Sequence, residues 1–311
     1  MATMKAARFH EYGGPDVLKY EDAPKPEPGP GELLIRVHAT SVNPVDWKVR
    51  EGHLKGMMNY TLPLTPGWDV SGVVEAAGTG THMKPGDEVY SKPDLSRNGT
   101  YAEYVVVKES EVAPKPKSVD HSTAAAIPLA GLTAYQALYD AAKLSSGQRL
   151  LIHGAAGGVG TFAIQLAKLR GVYVIATASK KNHDFLKSLG ADECIDYNTT
   201  KFEDVVRDVD VVLDTITGET MERSWKVLKN GGILISILEP PKPEKAAAHG
   251  VRCHHTFVQS NSAQLVELAK LVDSGKLKPI IEKVYPLSEA RAAQESNAKG
   301  HTRGKLVLRV V

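Results

Sequence analysis

The stretch LLIHGAAGGVGTFAIQLAKLRG, Leu150 to Gly171, decides the fold. An apolar run of the kind that fills a buried strand stops at His153, and four glycines then fall within the seven residues Gly154–Gly160. A helical pattern follows. Within the break, AAGGVG (Ala155–Gly160) is G-x-G-x-x-G with Ala155 in place of the first glycine. In such a turn Gly157 lets the backbone approach a pyrophosphate and Gly160 lets the helix pack close to the sheet. Backbone amides at the helix start, Gly158 and Val159 among them, face the phosphate charge with the helix dipole behind them. A glycine triplet alone is a weak signal, and a merely tight turn is the alternative. Here it sits between a strand and a helix and opens a series of such units, the context that marks a dinucleotide seat.

The next strand reads which dinucleotide. A site for NAD usually ends that strand with Asp or Glu, to bind the ribose 2′-hydroxyl. YVIATASKKNHDFLKSLG offers Ser179, Lys180 and Lys181 instead, with no carboxylate before Asp184. A hydroxyl and two ammonium groups suit a 2′-phosphate, which a carboxylate would repel. Cations at a helix N-terminus oppose its dipole, so they ask for a reason. The expected cofactor is NADPH.

Working outward, RLLIHGA, YVIATAS, VDVVLDTI and GILISIL read as short strands alternating with helices, which predicts a doubly wound parallel sheet. Before this region, from Lys5 to about Val119, short strands are punctuated by Gly and Pro turns, as in a small barrel-like β-domain. After it, NSAQLVELAKLVDSGK reads as a helix and GHTRGKLVLRVV as a closing strand. The expected organisation is α/β, with a β-domain over residues 1–122, a dinucleotide-binding domain over 123–260 and a return to the first over 261–311.

With 311 residues, a net charge of +2 and 42% hydrophobic residues, the composition is that of an ordinary globular chain with no excess charge for nucleic acid. No apolar run approaches the ~20 residues of a membrane span, and the N-terminus lacks a signal-peptide core, so a cytoplasmic protein is expected. Only two cysteines, Cys194 and Cys253, are present. They exclude a disulfide framework and a four-thiolate zinc lobe. Cys194 reads as a small core residue, and Cys253 opens CHH, whose neighbours on a strand would face opposite ways.

SVNPVDWKVREG (Ser41–Gly52), PLTPGWDVSGVV (Pro63–Val74), MKPGDEVY (Met83–Tyr90), AAIPLAGLTAYQAL (Ala125–Leu138) and GAAGGVG (Gly154–Gly160) stand in this order along the chain. Together they resemble the medium-chain dehydrogenase/reductase superfamily, in its zinc-free quinone oxidoreductase branch with the zeta-crystallin and enone-reductase relatives. The resemblance covers essentially the whole sequence. It implies a GroES-like β-domain plus a Rossmann domain, with the active site in the cleft between them. The zinc alcohol dehydrogenases of the superfamily need a thiolate where this chain has Asn43, an imidazole where it has Trp68, and a thiolate near Leu129–Ala130. A catalytic zinc takes about three protein ligands, and these residues cannot form that set, so no metal is expected.

Hydride transfer to a carbon already activated by conjugation needs mainly positioning and a donor to the developing oxyanion. The expected reaction is therefore NADPH-dependent reduction of quinones or α,β-unsaturated carbonyls. Two alternatives stay open: an NADPH-binding structural or membrane-associated protein with little turnover, and an enoyl-thioester reductase. The candidate catalytic residues are Asn43, Trp47, Lys48 and Tyr60. Asn43 would bond the substrate carbonyl or the cofactor ribose, or serve only a turn before Pro44. Lys48 stands where zeta-crystallin-like relatives carry a tyrosine, which puts a tyrosine-based protonation in doubt. Asp46 would buttress this loop. The resemblance also implies cofactor contacts from Thr133, from Tyr197 near the adenine ribose, and from Thr217, Ile237, Phe257, Val258 and Gln259 on the nicotinamide side. It implies a homodimer formed at the edge strand around Arg252–Val258.

Overall fold

The computed structural model describes residues 2–311. They divide into two compact units. The first holds the chain up to Leu129 together with Ser260–Gly275 and Pro279–Val311, and the second holds Ala130–Gln259 and Lys276–Lys278.

The first unit opens with an antiparallel hairpin, β1 (Thr3–Phe9) and β2 (Leu18–Pro24). The long strand β3 (Glu32–Val42) then runs into α1 (Pro44–Arg50), followed by β4 (Val70–Ala77), β5 (Glu88–Ser91), β6 (Tyr104–Lys108) and β7 (Val112–Pro114). The short helix α2 (His121–Ala125) starts at Asp120, whose side chain accepts the Thr123 N–H at 2.8 Å, and α3 (Pro128–Tyr135) comes next. In the second unit the chain alternates β8 (Arg149–Ile152), α4 (Gly158–Leu169), β9 (Tyr173–Ala178), α5 (His183–Ser188) and β10 (Glu193–Asp196). It continues through α6 (Phe202–Val205), β11 (Val209–Asp214), α7 (Glu219–Ser224), β12 (Leu228–Ser236), α8 (Pro243–Ala248) and β13 (Arg252–His255). The return to the first unit supplies α9 (Ser262–Asp273), β14 (Ile281–Pro286), α10 (Ala290–Ala298) and β15 (Lys305–Arg309).

In the first unit's main sheet the strands lie in the order β14-β15-β3-β4-β5-β7. β3 organises it. One edge pairs with β4, while the other is shared: Glu32–Arg36 pairs with β6 and Ala39–Val42 pairs with β15. The apolar side chains Leu33, Ile35, Val37, Val70, Val74, Val89, Val105 and Val107 pack into one core. Their spacing of two is the period of a strand with one buried face. Because Leu306 pairs with Val42, Lys305 comes to lie beside Asn43, where β3 gives way to α1. The last strand of the chain thus completes the place where the first helix begins.

The second unit is a six-stranded parallel sheet in the order β10-β9-β8-β11-β12-β13. Numbered within the unit this is 3-2-1-4-5-6, the Rossmann order, and right-handed crossovers then put the helices on both faces. All six residues of β11 are buried, as expected for a central strand covered on two sides. Two glutamines fasten the chain where it leaves this unit. Gln136 gives Nε2–H to the Gln259 carbonyl at 2.8 Å and takes the Gln259 N–H at 2.9 Å. Gln165, buried on α4, does the same for Lys278, at 3.0 and 2.8 Å. A carboxamide is the one side chain that can copy both halves of a strand pairing. This accounts for Lys276–Lys278 belonging to the second unit.

His153, at the mouth of the glycine turn, is 1% exposed. Its Nε2 lies 3.0 Å from Ser224 Oγ, whose own proton goes to the Thr220 carbonyl at 2.7 Å, so Nε2 donates. Nδ1 then accepts from Thr177 Oγ1 at 3.0 Å. The neutral imidazole ties β8, β9 and α7 together, and burial, with the Arg223 charge second, pulls its pKa down to about 3. The unfolded chain protonates this histidine below about 6.5 and the folded one does not, so its contribution to stability is full above that value and is lost as pH falls toward 3. Replacement by glutamine removes the titration. The melting temperature of His153→Gln is expected to fall less steeply than that of the parent between pH 7 and 4, as scanning calorimetry across that range would show.

Candidate functional site

The parallel sheet gathers the residues singled out for the dinucleotide. Gly157–Gly160 follow β8, Ser179–Lys181 follow β9, Tyr197 follows β10, Thr217 follows β11, Ile237 follows β12 and Phe257–Gln259 follow β13. Since all six strands run the same way, every one of these segments leaves the same edge of the sheet. The glycine turn sits between β8 and β11, where the strand order reverses, the crevice in which open α/β sheets take their ligands. Thr133 is the exception, a buried residue of α3.

Two glycines of the turn do different work. A Cβ at Gly160 would lie 2.5–2.7 Å from the Ala155 backbone, so the helix can start so close to the strand only without a side chain. Gly157, the residue before α4, has φ −76°, and a Cβ there would meet only the Gly154 carbonyl at 3.4 Å. Nothing in the chain itself demands glycine at that position. The space left open there fits the close approach of a pyrophosphate to the protein backbone.

At the end of β9, Lys180 and Lys181 are exposed in a single 3-10 turn and, among the described residues, neither forms an ion pair. Asn182 Nδ2 reaches Ser179 Oγ at 3.4 Å, and Tyr197 stands open to solvent. After β11, Thr217 has φ +68°, a rare value for a β-branched residue. The buried Asp214 carboxylate holds it there by accepting the Ile216 and Thr217 N–H groups at 2.9 and 3.0 Å, while Thr217 Oγ1 donates to Glu239 at 2.9 Å. Ile237 is half-buried, Phe257 exposed, and the Val258–Gln259 segment is held by Gln136.

The candidate catalytic residues all lie in the first unit, around α1. Asn43 precedes that helix and is 2% exposed. Its backbone N–H donates to Asp46 Oδ2 at 2.8 Å, so Asp46 does buttress the turn, with the Tyr101 hydroxyl donating to the same oxygen at 2.7 Å. The Asn43 amide is held from both sides. Nδ2 donates to Asp69 Oδ2 at 2.7 Å, and Oδ1 accepts from Lys305 Nζ. Asp69, wholly buried, also accepts from Ser41 Oγ and from the Leu129 N–H at 2.6 Å, with Lys305 Nζ at 3.6 Å. The ammonium makes a further bond to the Val42 carbonyl at 3.1 Å. Burial pushes Asp69 up and Lys305 down, and each one's charge opposes the shift of the other. Donors surround the carboxylate and oxygens surround the ammonium, an environment that fits the ionised pair.

Trp47 gives its indole N–H to Asn297 on α10 at 3.1 Å, and Lys48 lies 5.7 Å from the Trp47 ring. Tyr60 donates to Met58 Sδ at 3.0 Å, and burial raises its phenol so that it stays an O–H donor. Trp68 is entirely buried in an apolar cluster with Phe9, Val49, Leu64 and Tyr101. Among the described residues no three His, Cys, Asp or Glu side chains gather as a metal would require.

Sequence reasoning missed Asp69, Lys305, Asp214 and Glu239. Asp69 stands alone in an apolar run, and Lys305 opens a strand at the chain's end, where a lysine ordinarily reads as solvated. Only the pairing of β15 with β3 reveals its role. Cys194, expected in the core, is half-buried on the sheet's edge strand β10, where one side of the strand has no neighbour to cover it.

Two outcomes follow from this geometry. Gly160→Ala is expected to lower the melting temperature by several degrees, since a steric cost of about 1–3 kcal/mol has nowhere to relax; Gly157→Ala should melt within about a degree of the parent. Calorimetry on both variants checks this. Burial raises the Asp46 carboxyl to about 7, with its hydrogen bonds from Asn43 and Tyr101 opposing. The folded chain thus keeps a proton that the unfolded chain releases near 4, and this contribution fades as pH rises toward 7. Asp46→Asn should gain stability relative to the parent between pH 4.5 and 7 and hold that gain above it, measured as the difference in melting temperature at each pH.

Residues 29–117 match the family described as alcohol dehydrogenase GroES-like domain, and residues 189–308 match the one described as zinc-binding dehydrogenase. The mouse mitochondrial NAD(P)H oxidoreductase RTN4IP1 is 36% identical, over 91% of this chain and 82% of its own length. The 2-methylene-furan-3-one reductase of Solanum lycopersicum is 39% identical, over 98% of this chain and 79% of its own. The structure of a quinone oxidoreductase from Coxiella burnetii superposes with a TM-score of 0.93 at 39% identity and covers all of both chains. With its Rossmann sheet, its GroES-like unit and relatives of this kind along its whole length, the chain belongs to the medium-chain dehydrogenase/reductase superfamily, in the quinone oxidoreductase-like branch.

Proposed function

We propose that this protein is an NADPH-dependent reductase of quinones or α,β-unsaturated carbonyls that works without zinc. The observation that carries the reading is the state of Asn43. Where zinc-dependent relatives need a thiolate, this chain has a carboxamide already bonded to Asp69 and Lys305, and the neighbouring Trp68 is sealed among apolar side chains. A site without a Lewis acid stabilises the alkoxide of a saturated ketone poorly. It suits an acceptor whose conjugation already spreads the incoming charge, for which position and one hydrogen-bond donor suffice.

The reduced nicotinamide would supply the hydride. Gly157, Gly158, Val159 and Gly160 would seat the pyrophosphate, and Ser179, Lys180, Lys181 and Tyr197 would take the 2′-phosphate. Two unpaired ammonium groups at the end of β9 favour that phosphate over a bare ribose hydroxyl. Thr133, Thr217, Ile237, Phe257, Val258 and Gln259 would line the nicotinamide. Asn43 would donate to the substrate oxygen on which charge develops, with Trp47, Lys48 and Tyr60 shaping the substrate's surroundings, and solvent would return the proton. A second copy of the chain would pair at β13, whose outer edge is free among the described residues, to give a cytoplasmic homodimer.

The test is consumption of NADPH and of NADH against a panel of quinones, enones and saturated aldehydes, with zinc content measured on the same sample. Stoichiometric zinc, or NAD-linked oxidation of simple alcohols, would overturn the reading. NADPH binding without turnover across the panel would favour a binding protein instead. Combined Lys180→Ala and Lys181→Ala is expected to raise KM for NADPH at least about tenfold while leaving NADH within about twofold; equal loss for both cofactors would remove the lysines from the 2′-phosphate.

A further inference from the structure

A carboxamide is nearly symmetric in shape and opposite in chemistry at its two ends. Half a turn about its last bond exchanges an acceptor for a donor. Asn43 sits between two groups that do not tolerate the exchange. An ammonium only donates, and Lys305 Nζ bonds Asn43 Oδ1; an ionised carboxylate only accepts, and Asp69 Oδ2 takes a proton from Nδ2 at 2.7 Å. Turning the amide would set NH₂ against the ammonium and C=O against the carboxylate. Both partners are themselves buried and bonded elsewhere. Lys305 is 3% exposed and also bound to the Val42 carbonyl, and Asp69 is fixed by Ser41 Oγ and the Leu129 N–H. In such a buried setting charge-assisted bonds are strong and their reversal is costly. One N–H of Asn43 is spent on Asp69. The other reaches only the Ser41 carbonyl, at 3.5 Å, beyond the usual range of a good bond.

We propose that Lys305 and Asp69 are the positioning residues of Asn43: they lock its amide so that an N–H, never the carbonyl, is offered to the substrate's oxygen. The inference rests on the reading of Asn43 as that donor. It explains why a lysine from the end of the chain is buried beside a residue near its beginning. It also gives the pair a part in the reaction without touching substrate or cofactor. Asp46, the other carboxylate facing Lys305, is occupied with the Asn43 backbone and Tyr101.

A double-mutant cycle on the full-length protein tests it, with menadione and methyl vinyl ketone as substrates. Lys305→Met is expected to lower kcat about tenfold or more with KM for NADPH within about twofold. Lys305→Arg, again a pure donor, should recover part of the loss. In an Asn43→Ala background Lys305→Met should cost less than about twofold, because a residue acting through Asn43 has nothing left to act on. Equal losses in both backgrounds, or an unchanged kcat in Lys305→Met, would overturn the proposal. Should Lys305→Met not fold, Asp69→Asn carries the same cycle, since an amide there neither fixes nor forbids the turn.

The side-chain amide signal of Asn43 in proton–nitrogen NMR, identified by its disappearance in Asn43→Ala, needs no turnover. Its protons should exchange with solvent about tenfold faster or more once Lys305 is replaced. An unchanged signal overturns the lock whatever the enzyme reduces. A changed signal in a protein whose parent reduces neither substrate upholds the lock and overturns the reaction assigned to Asn43.

Discussion

A lysine ammonium sealed against a carboxylate is the constraint around which the first unit is organised. Burying two charges costs several kcal/mol each unless every donor and acceptor is met, and the chain meets them from four separate places. Ser41, Val42 and Asn43 come from the end of β3, Asp69 from the approach to β4, Leu129 from α3 and Lys305 from β15. None of these segments can shift without stranding a charge. The pair therefore welds the last strand to the start of the first helix and sets the conformation of the turn that carries the candidate catalytic residues. α10 adds a second weld, through Trp47 to Asn297 and through the buried Arg50, which reaches Gln294 and the Gly13 carbonyl.

The second unit depends on a different constraint, direction. A parallel sheet requires each strand to be followed by a crossover, so every connection leaves from one edge. That places six sequence-distant segments side by side without any contact having to be specified between them. The glycine turn, the lysine turn after β9 and the Thr217 turn are then refined locally, by the missing Cβ of Gly160, by the Asn182 N–H bonded to the Ser179 carbonyl and by Asp214.

The fold was legible because its signals are local. Strand–helix alternation, the glycine break and the five ordered motifs are each read within about twenty residues, and the alternation by itself calls for a parallel sheet; the order of its strands came from the structure. The lysines at 180 and 181 were legible for the same reason, since their place just past β9 needs no tertiary knowledge. The state of Asn43 was not. Its neighbours Asp69 and Lys305 lie 26 and 262 residues away, and each alone reads as an ordinary polar residue at a strand end. Likewise Thr217 was named from the resemblance, but its left-handed backbone and the carboxylate beneath it came only with the structure.

By itself, then, the sequence determined the two kinds of architecture and the glycine break between β8 and α4, because these depend on periodicity and on short-range chemistry. Only the tertiary structure decided which way the Asn43 amide faces. That orientation comes from a buried ion pair assembled from distant strands, and sequence neighbours carry no information about which charges a strand register will bring together.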